Sequence, residues 1–116
     1  MLYYSKKEEL KPIFDTRKSF YKKAVVEFEE NRNDVGSVST AWNLYSYGTL
    51  VCTIFNHTYC EKLYKIRVGD DLLTQTTLRH IREFLLQHFY RENRKLTKKD
   101  ILANSDKIYN LETREV

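Results

Sequence analysis

Through the first half of the chain, apolar and polar residues alternate with a period of two. Between residues 20 and 30, Ala24, Val26 and Phe28 fall on one side and Val25, Glu27 and Glu29 on the other, which predicts a first long strand. Residues 31–36 read as a turn, with Asn33, Asp34 and Gly36 all suited to positive φ. Residues 37–47 are rich in β-branched and aromatic side chains and predict a second strand, interrupted at Gly48 by either a tight turn or a bulge. Residues 49–55 are almost wholly apolar, as in a central strand. Asn56 and His57 turn the chain, and residues 59–68 alternate again. Four antiparallel segments joined by short turns make a meander. Ahead of them, Ser5 followed by Glu8 fits a capping box and predicts one or two helical turns over residues 5–10, ended by Pro12.

After Gly69 the period changes to 3.6. Leu78, Ile81, Leu85 and Phe89, flanked by Phe84 and His88, form one apolar stripe, so a helix is predicted over residues 76–92 with Thr74 or Thr76 as its cap. It is the only long helix expected, and it should cover one face of the sheet. A second, short helix begins at Thr97, packs Ile101 and Leu102 inward and ends at Asn104 and Ser105; the tail over residues 106–116 is expected to fray. The expected fold class is therefore α+β, an antiparallel meander of about four strands on one long amphipathic helix with short helices at the ends, in a single domain over residues 1–116.

Composition narrows the classes. With 41% apolar and 14% aromatic residues, three glycines and one proline, the 116-residue chain is globular, neither disordered nor collagen-like. No apolar run approaches the ~20 residues that span a bilayer, and the charges at Lys6, Lys7, Glu8 and Glu9 leave no export signal, so a cytoplasmic setting is expected. The two cysteines, Cys52 and Cys60, are read as small half-buried hydrophobes that could face each other across a hairpin. Cys52, His57 and Cys60, with His80 as a distant fourth, match no tight-paired zinc pattern, and neither metal nor cofactor is expected. His80 is read as a partly buried, hydrogen-bonded histidine. No P-loop, nucleophile elbow, dinucleotide fingerprint or zincin motif is present, so no enzyme is expected.

The formal charge of +4 is unevenly placed. Residues 79–99 set Arg79, Arg82, Arg91, Arg94, Lys95, Lys98 and Lys99 against only Glu83 and Glu92, and they hold the whole excess. Such a stripe concentrates anions and suits phosphate backbones or an acidic protein face; the alternative is a solvated helix face that maintains solubility. A second cluster, Arg17, Lys18, Lys22 and Lys23, is interleaved with Phe20 and Tyr21; it can stack bases and hold phosphates, or simply mark the start of a strand. Among the nine tyrosines, Tyr45, Tyr47 and Tyr59 are candidate interface anchors.

Three stretches carry a resemblance. Lys18-Ser19-Phe20-Tyr21-Lys22-Lys23-Ala24, Leu44-Tyr45-Ser46-Tyr47-Gly48-Thr49-Leu50-Val51 and Thr76-Thr77-Leu78-Arg79-His80-Ile81-Arg82-Glu83-Phe84-Leu85-Leu86-Gln87, in this order, resemble an uncharacterised family of small proteins from phages, prophages and plasmids of Gram-positive bacteria. Lys22 stands where that family usually has glycine, which argues against a special backbone conformation there; Gly48 stands where asparagine is usual and keeps one open. The resemblance implies a mobile-element protein that binds and inhibits a bacterial defence nuclease, an anti-CRISPR of a Cas9-type effector. Its basic charge disfavours DNA mimicry and favours guide RNA, DNA or an acidic surface of the effector as partner. A nucleic-acid-binding accessory protein of the element is the alternative.

Overall fold

The computed structural model describes residues 2–57 and 60–113. The strands β1 (Leu2–Glu9), β2 (Ala24–Arg32), β3 (Val38–Ser46), β4 (Thr49–His57) and β5 (Cys60–Ile66) form one antiparallel sheet in sequential order. Helix α1 (Gln75–Leu85) continues into a π-helical turn (Leu86–Tyr90), and α2 (Lys98–Thr113) closes the chain. Register builds the core from alternate residues. The cross-strand row Glu8, Val26, Leu44, Cys52, Ile66 and its neighbour Lys6, Phe28, Trp42, Ile54, Tyr64 share one face. Ile81, Phe84 and Leu85 of α1, all fully buried, belong to the same core cluster as Leu44, Ile54 and Tyr64. Burying side chains of this size removes each from water at a gain of roughly 1.5–3 kcal/mol, which fixes the helix on that face. α2 lies beside β5, where the Tyr64 hydroxyl donates to the Ile101 carbonyl at 2.7 Å and Ser105 Oγ accepts the Ile66 N–H at 2.7 Å. Among the described residues no helix is long and apolar enough to cross a membrane.

The α+β class stands, but the sheet has five strands, not four. Residues 5–10 are not helical: residues 5–9 lie in edge strand β1, paired with β2 from Leu2↔Arg32 to Glu9↔Val25, and Leu10 follows it. A two-turn helix cannot repay its own nucleation, whereas the β2 edge offers a ladder residue by residue. α1 is capped as read, Thr74 Oγ1 accepting the Thr77 N–H at 3.2 Å. α2 is also capped as read, Thr97 and Asp100 exchanging hydrogen bonds of 2.8–3.2 Å. It does not stop at Asn104 and Ser105, however, because Ser105 finds a buried partner on β5 and Asn104 bonds back to the Asp100 carbonyl at 3.0 Å. So α1 is not the only long helix. β4 runs through Asn56 and His57 rather than turning there, and residues 58–59 lie outside the described residues. In the 31–36 turn only Gly36 takes positive φ, because Asn33 Oδ1 instead accepts the Val35 and Ser37 N–H groups. Cys52 lies opposite Ile66, not Cys60.

Gly48 is a turn. With Tyr47 (φ 52°) and Gly48 (φ 81°) both left-handed, it forms the two-residue hairpin loop whose twist matches the strands. The bulge falls further in, where pairing slips between Leu44 and Tyr45. The expectation at Lys22 is overturned: Tyr21 (φ 53°) and Lys22 (φ 63°) are both left-handed. Phe20 is buried with its ring edge-on to His80 at 4.7 Å, and the chain must reverse into β2 within two residues, which the Lys23 N–H to Phe20 carbonyl bond of 2.9 Å closes. Each non-glycine residue in this conformation costs roughly 1–2 kcal/mol. Lys22→Gly is therefore expected to raise stability by about 0.5–1 kcal/mol after the added unfolded-state entropy is subtracted. Urea unfolding of the variant checks this, and an unchanged or lower midpoint would refute the strain.

Candidate functional site

The 10–23 connection between β1 and β2 does not make a tight turn but arches over α1, and one buried side chain gathers the middle of it. Glu83 is 1% exposed. Its carboxylate accepts the backbone N–H groups of Ile13 (3.0 Å), Phe14 (3.1 and 3.2 Å) and Asp15 (2.8 Å), and the Gln87 amide at 2.6 Å. The same Gln87 amide reaches the Lys11 carbonyl at 2.8 Å. Successive N–H groups converging on a carboxylate satisfy a charge that burial would otherwise penalise by several kcal/mol.

The arch thereby delivers Asp15 to the outer side of α1. Its carboxylate is 2% exposed; Oδ1 accepts the Arg17 N–H at 2.9 Å and Arg79 Nη1 at 3.0 Å, while Oδ2 lies 3.6 Å from Arg82 Nη2. Burial pushes the Asp15 carboxyl up, but the Arg17 N–H and the two guanidiniums outweigh it and hold the group below the usual carboxylate value. Arg79 and Arg82, 36% and 42% exposed, are thus braced from behind while part of each head stays in water.

The segment after α1 supplies the opposite wall. Arg91 takes a left-handed conformation (φ 59°) and ends the helical run. Arg94 lies over the Tyr90 ring at 4.6 Å and 3.8 Å from Glu92, and buried Leu96 pins the segment just before the Thr97 cap. Between the two walls is a groove of about 590 Å³ lined by Arg79, Arg82, Arg94, Lys95 and Lys98, with Asp15 and Glu83 the carboxylates at its border. Five of the seven residues in the expected basic stripe therefore meet at one place. Arg91 and Lys99 are exposed but do not line it.

The second cluster divides. Arg17, Lys23 and Tyr47 line a smaller depression of about 280 Å³, joined to the groove through Arg79, which borders both. Lys18 and Lys22 are exposed outside it. Tyr45 lies on the helix-free face of the sheet, donating to Glu27 at 3.0 Å with the Lys7 ammonium 5.3 Å from its ring centre, so it does not join the groove. Tyr59 lies outside the described residues, as do the side chains of His57 and Cys60. Cys52 is fully buried, and desolvation pushes its thiol far above the ordinary range. His80 is fully buried rather than half-buried, with Nδ1 2.8 Å from Ser46 Oγ. No cluster of metal-ligating side chains occurs among the described residues.

The sequence reading did not single out Asp15, Glu83 and Gln87. The spacing of His80, Glu83 and Gln87 at i, i+3 and i+7 beside the apolar stripe was the available signal. It also missed a larger trough of about 780 Å³ over β1–β3, where Trp42 stacks on His88 at 4.4 Å and Phe28 lies 4.6 Å from Trp42. Lys6 and Lys11 face Glu8 and Glu9 around that trough, so unlike the groove it presents no single sign.

Fold and groove together define a small α+β domain with a preformed basic cleft. The chain belongs to a family of unknown function, DUF8033, which it matches over residues 8–104. Comparison with curated proteins and with solved structures finds no match.

Two outcomes test this account of the site. Glu83→Gln should cost about 2–4 kcal/mol in denaturant unfolding, because it removes the charge that three N–H donors are buried against; a loss under ~0.5 kcal/mol would show that the arch is held otherwise. His88 is pushed down to about 4, chiefly by desolvation and further by Lys62 and Arg91, from an ordinary value of 6.5. The unfolded chain then takes up the proton first, so stability should fall as pH drops from 6.5 towards 4 and the His88 contribution should level off below that. His88→Phe, which keeps a ring against Trp42, should flatten this limb in urea midpoints taken across the range, and an unaltered slope would assign it to other groups.

Proposed function

We propose that this protein is a non-enzymatic binding protein of a mobile genetic element that inhibits a bacterial defence nuclease of the Cas9 type, using its basic groove to hold phosphates of the guide RNA or an acidic surface of the effector. The observation that supports this most directly is the convergence of Arg79, Arg82, Arg94, Lys95 and Lys98 on one groove. Two of these guanidiniums are already oriented by Asp15. Pre-set arginines lose less side-chain entropy on binding and keep planar donor pairs for phosphate or carboxylate oxygens. The origin in a mobile element and the nature of the target come from the resemblance of the three sequence stretches described above. A non-enzymatic role fits the chemistry of the groove, where the carboxylates are occupied by N–H groups and guanidiniums rather than poised as acid or base.

The experiment is inhibition of DNA cleavage by a guide-loaded Cas9-type nuclease, with direct binding to the loaded and unloaded effector. Arg94→Glu, Lys95→Glu and Lys98→Glu combined should weaken inhibition and binding roughly tenfold or more, since each lost contact contributes of order 0.5 kcal/mol. The melting temperature should be unchanged, and Lys18→Glu, outside both depressions, should behave as wild type. Inhibition by the triple variant equal to wild type would refute the surface. Tight binding to free RNA or DNA without the nuclease, falling by about one log unit per log unit of salt for each phosphate held, would replace this reading with that of a nucleic-acid-binding accessory protein.

A further inference from the structure

β1 is an edge strand in which Leu2 to Glu8 are all exposed, with Leu2 at 70%, Tyr3 at 59% and Tyr4 at 53%. Its backbone polarity can be read from its pairing with β2. The Leu10 N–H donates to the Ala24 carbonyl at 2.9 Å, which continues the β1–β2 register. Direct pairs in an antiparallel ladder alternate between bonded and non-bonded. The even residues of β1 therefore turn their N–H and C=O groups to β2, and Tyr3, Ser5 and Lys7 turn theirs to the open edge.

We propose that a second copy of this chain docks on that edge, β1 against β1 antiparallel, with the two Ser5 residues opposite each other on the two-fold axis. Only registers that oppose odd residues to odd residues let the outward groups of both copies bond, and they also keep the helix-bearing faces on the same side. Of these, the register centred on Ser5 sets Tyr3 opposite Lys7, Tyr4 opposite Lys6 and Leu2 opposite Glu8. Moving by one pair towards Lys6 centres Lys6 on Lys6, and by another Lys7 on Lys7, each placing like charges directly opposite, whereas moving the other way, to Tyr4 on Tyr4, takes both lysines off the tyrosines and shortens the ladder. In the Ser5 register Lys6 meets Tyr4 and Lys7 meets Tyr3 of the other copy, ammonium–aromatic pairs formed in exchange for the exposed Lys6–Glu8 ion pair and the Lys7 contact with Tyr45. Lysines on an edge ordinarily deter strand addition; here they meet no like charge and select one register and one partner. The result is a continuous sheet through both copies, with an isologous interface as two-fold symmetry requires.

Sedimentation equilibrium of the full chain at rising concentration should move from 14.0 kDa towards twice that mass. Ser5→Pro removes an N–H that β2 does not use, so it should remain folded by circular dichroism and stay monomeric. As an independent measurement, Ser5→Cys in a Cys60→Ser background, treated with a short bifunctional maleimide, should give a linked dimer. Leu72→Cys in the same background, on the 3₁₀ turn after the sheet, should not. A single 14.0 kDa species up to ~1 mM with no Ser5→Cys dimer would overturn the proposal. So would a dimer that persists in folded Ser5→Pro, which would place the interface elsewhere.

Discussion

One buried carboxylate organises this molecule. Glu83 draws three consecutive backbone N–H groups of the 13–15 segment onto α1. An uncompensated charge at that depth would be intolerable, and three N–H groups left without acceptors there would be nearly as costly. Each side of the contact therefore needs the other. The consequences run outward in order: the arch is fixed, Asp15 is placed beside Arg79 and Arg82, and the two guanidiniums are braced at the mouth of the basic groove.

That bracing changes how the surplus positive charge should be understood. Taken as a count, the pairing of Arg79 and Arg82 with Asp15 subtracts from the field. Taken as geometry, it converts two long flexible side chains into fixed donors on a wall, while Lys95 and Lys98 across the groove remain exposed. The Asp15 carboxylate, 2% exposed, is turned to the guanidiniums and away from solvent.

Local signals in the sequence foretold local structure. The alternation of Ala24, Val26 and Phe28 gave the core side of β2, and the apolar stripe of Ile81, Phe84 and Leu85 gave the face of α1. Thr97 marked the start of α2, and of the two threonines offered for α1 it is Thr74 that caps it. Long-range partners decided what was not legible. β1 is a strand because β2 lies beside it, α2 continues because Ser105 meets β5, and Lys22 is left-handed because Phe20 is already anchored against His80. The groove was half visible: the seven cations lay close together in the sequence, but the bracing of Arg79 by Asp15 and the fastening of the arch depend on pairings 64 and more residues apart.

The Glu83 contact also ties together two parts of the chain that lie far apart in sequence. β2, β3 and β4 close through short hairpins, so their pairing costs little loop entropy. β1 returns to the sheet only through an arch whose fastening lies 68–70 residues further along the chain. The arch is tied at its ends, through Leu10 to Ala24 and Lys23 to Phe20, but its middle has an acceptor only once α1 is in place. β1 is thus an open border reached through a distantly fastened connection: were the helix to lift, the 13–15 N–H groups would lose their acceptor and the strand would keep only its ladder to β2.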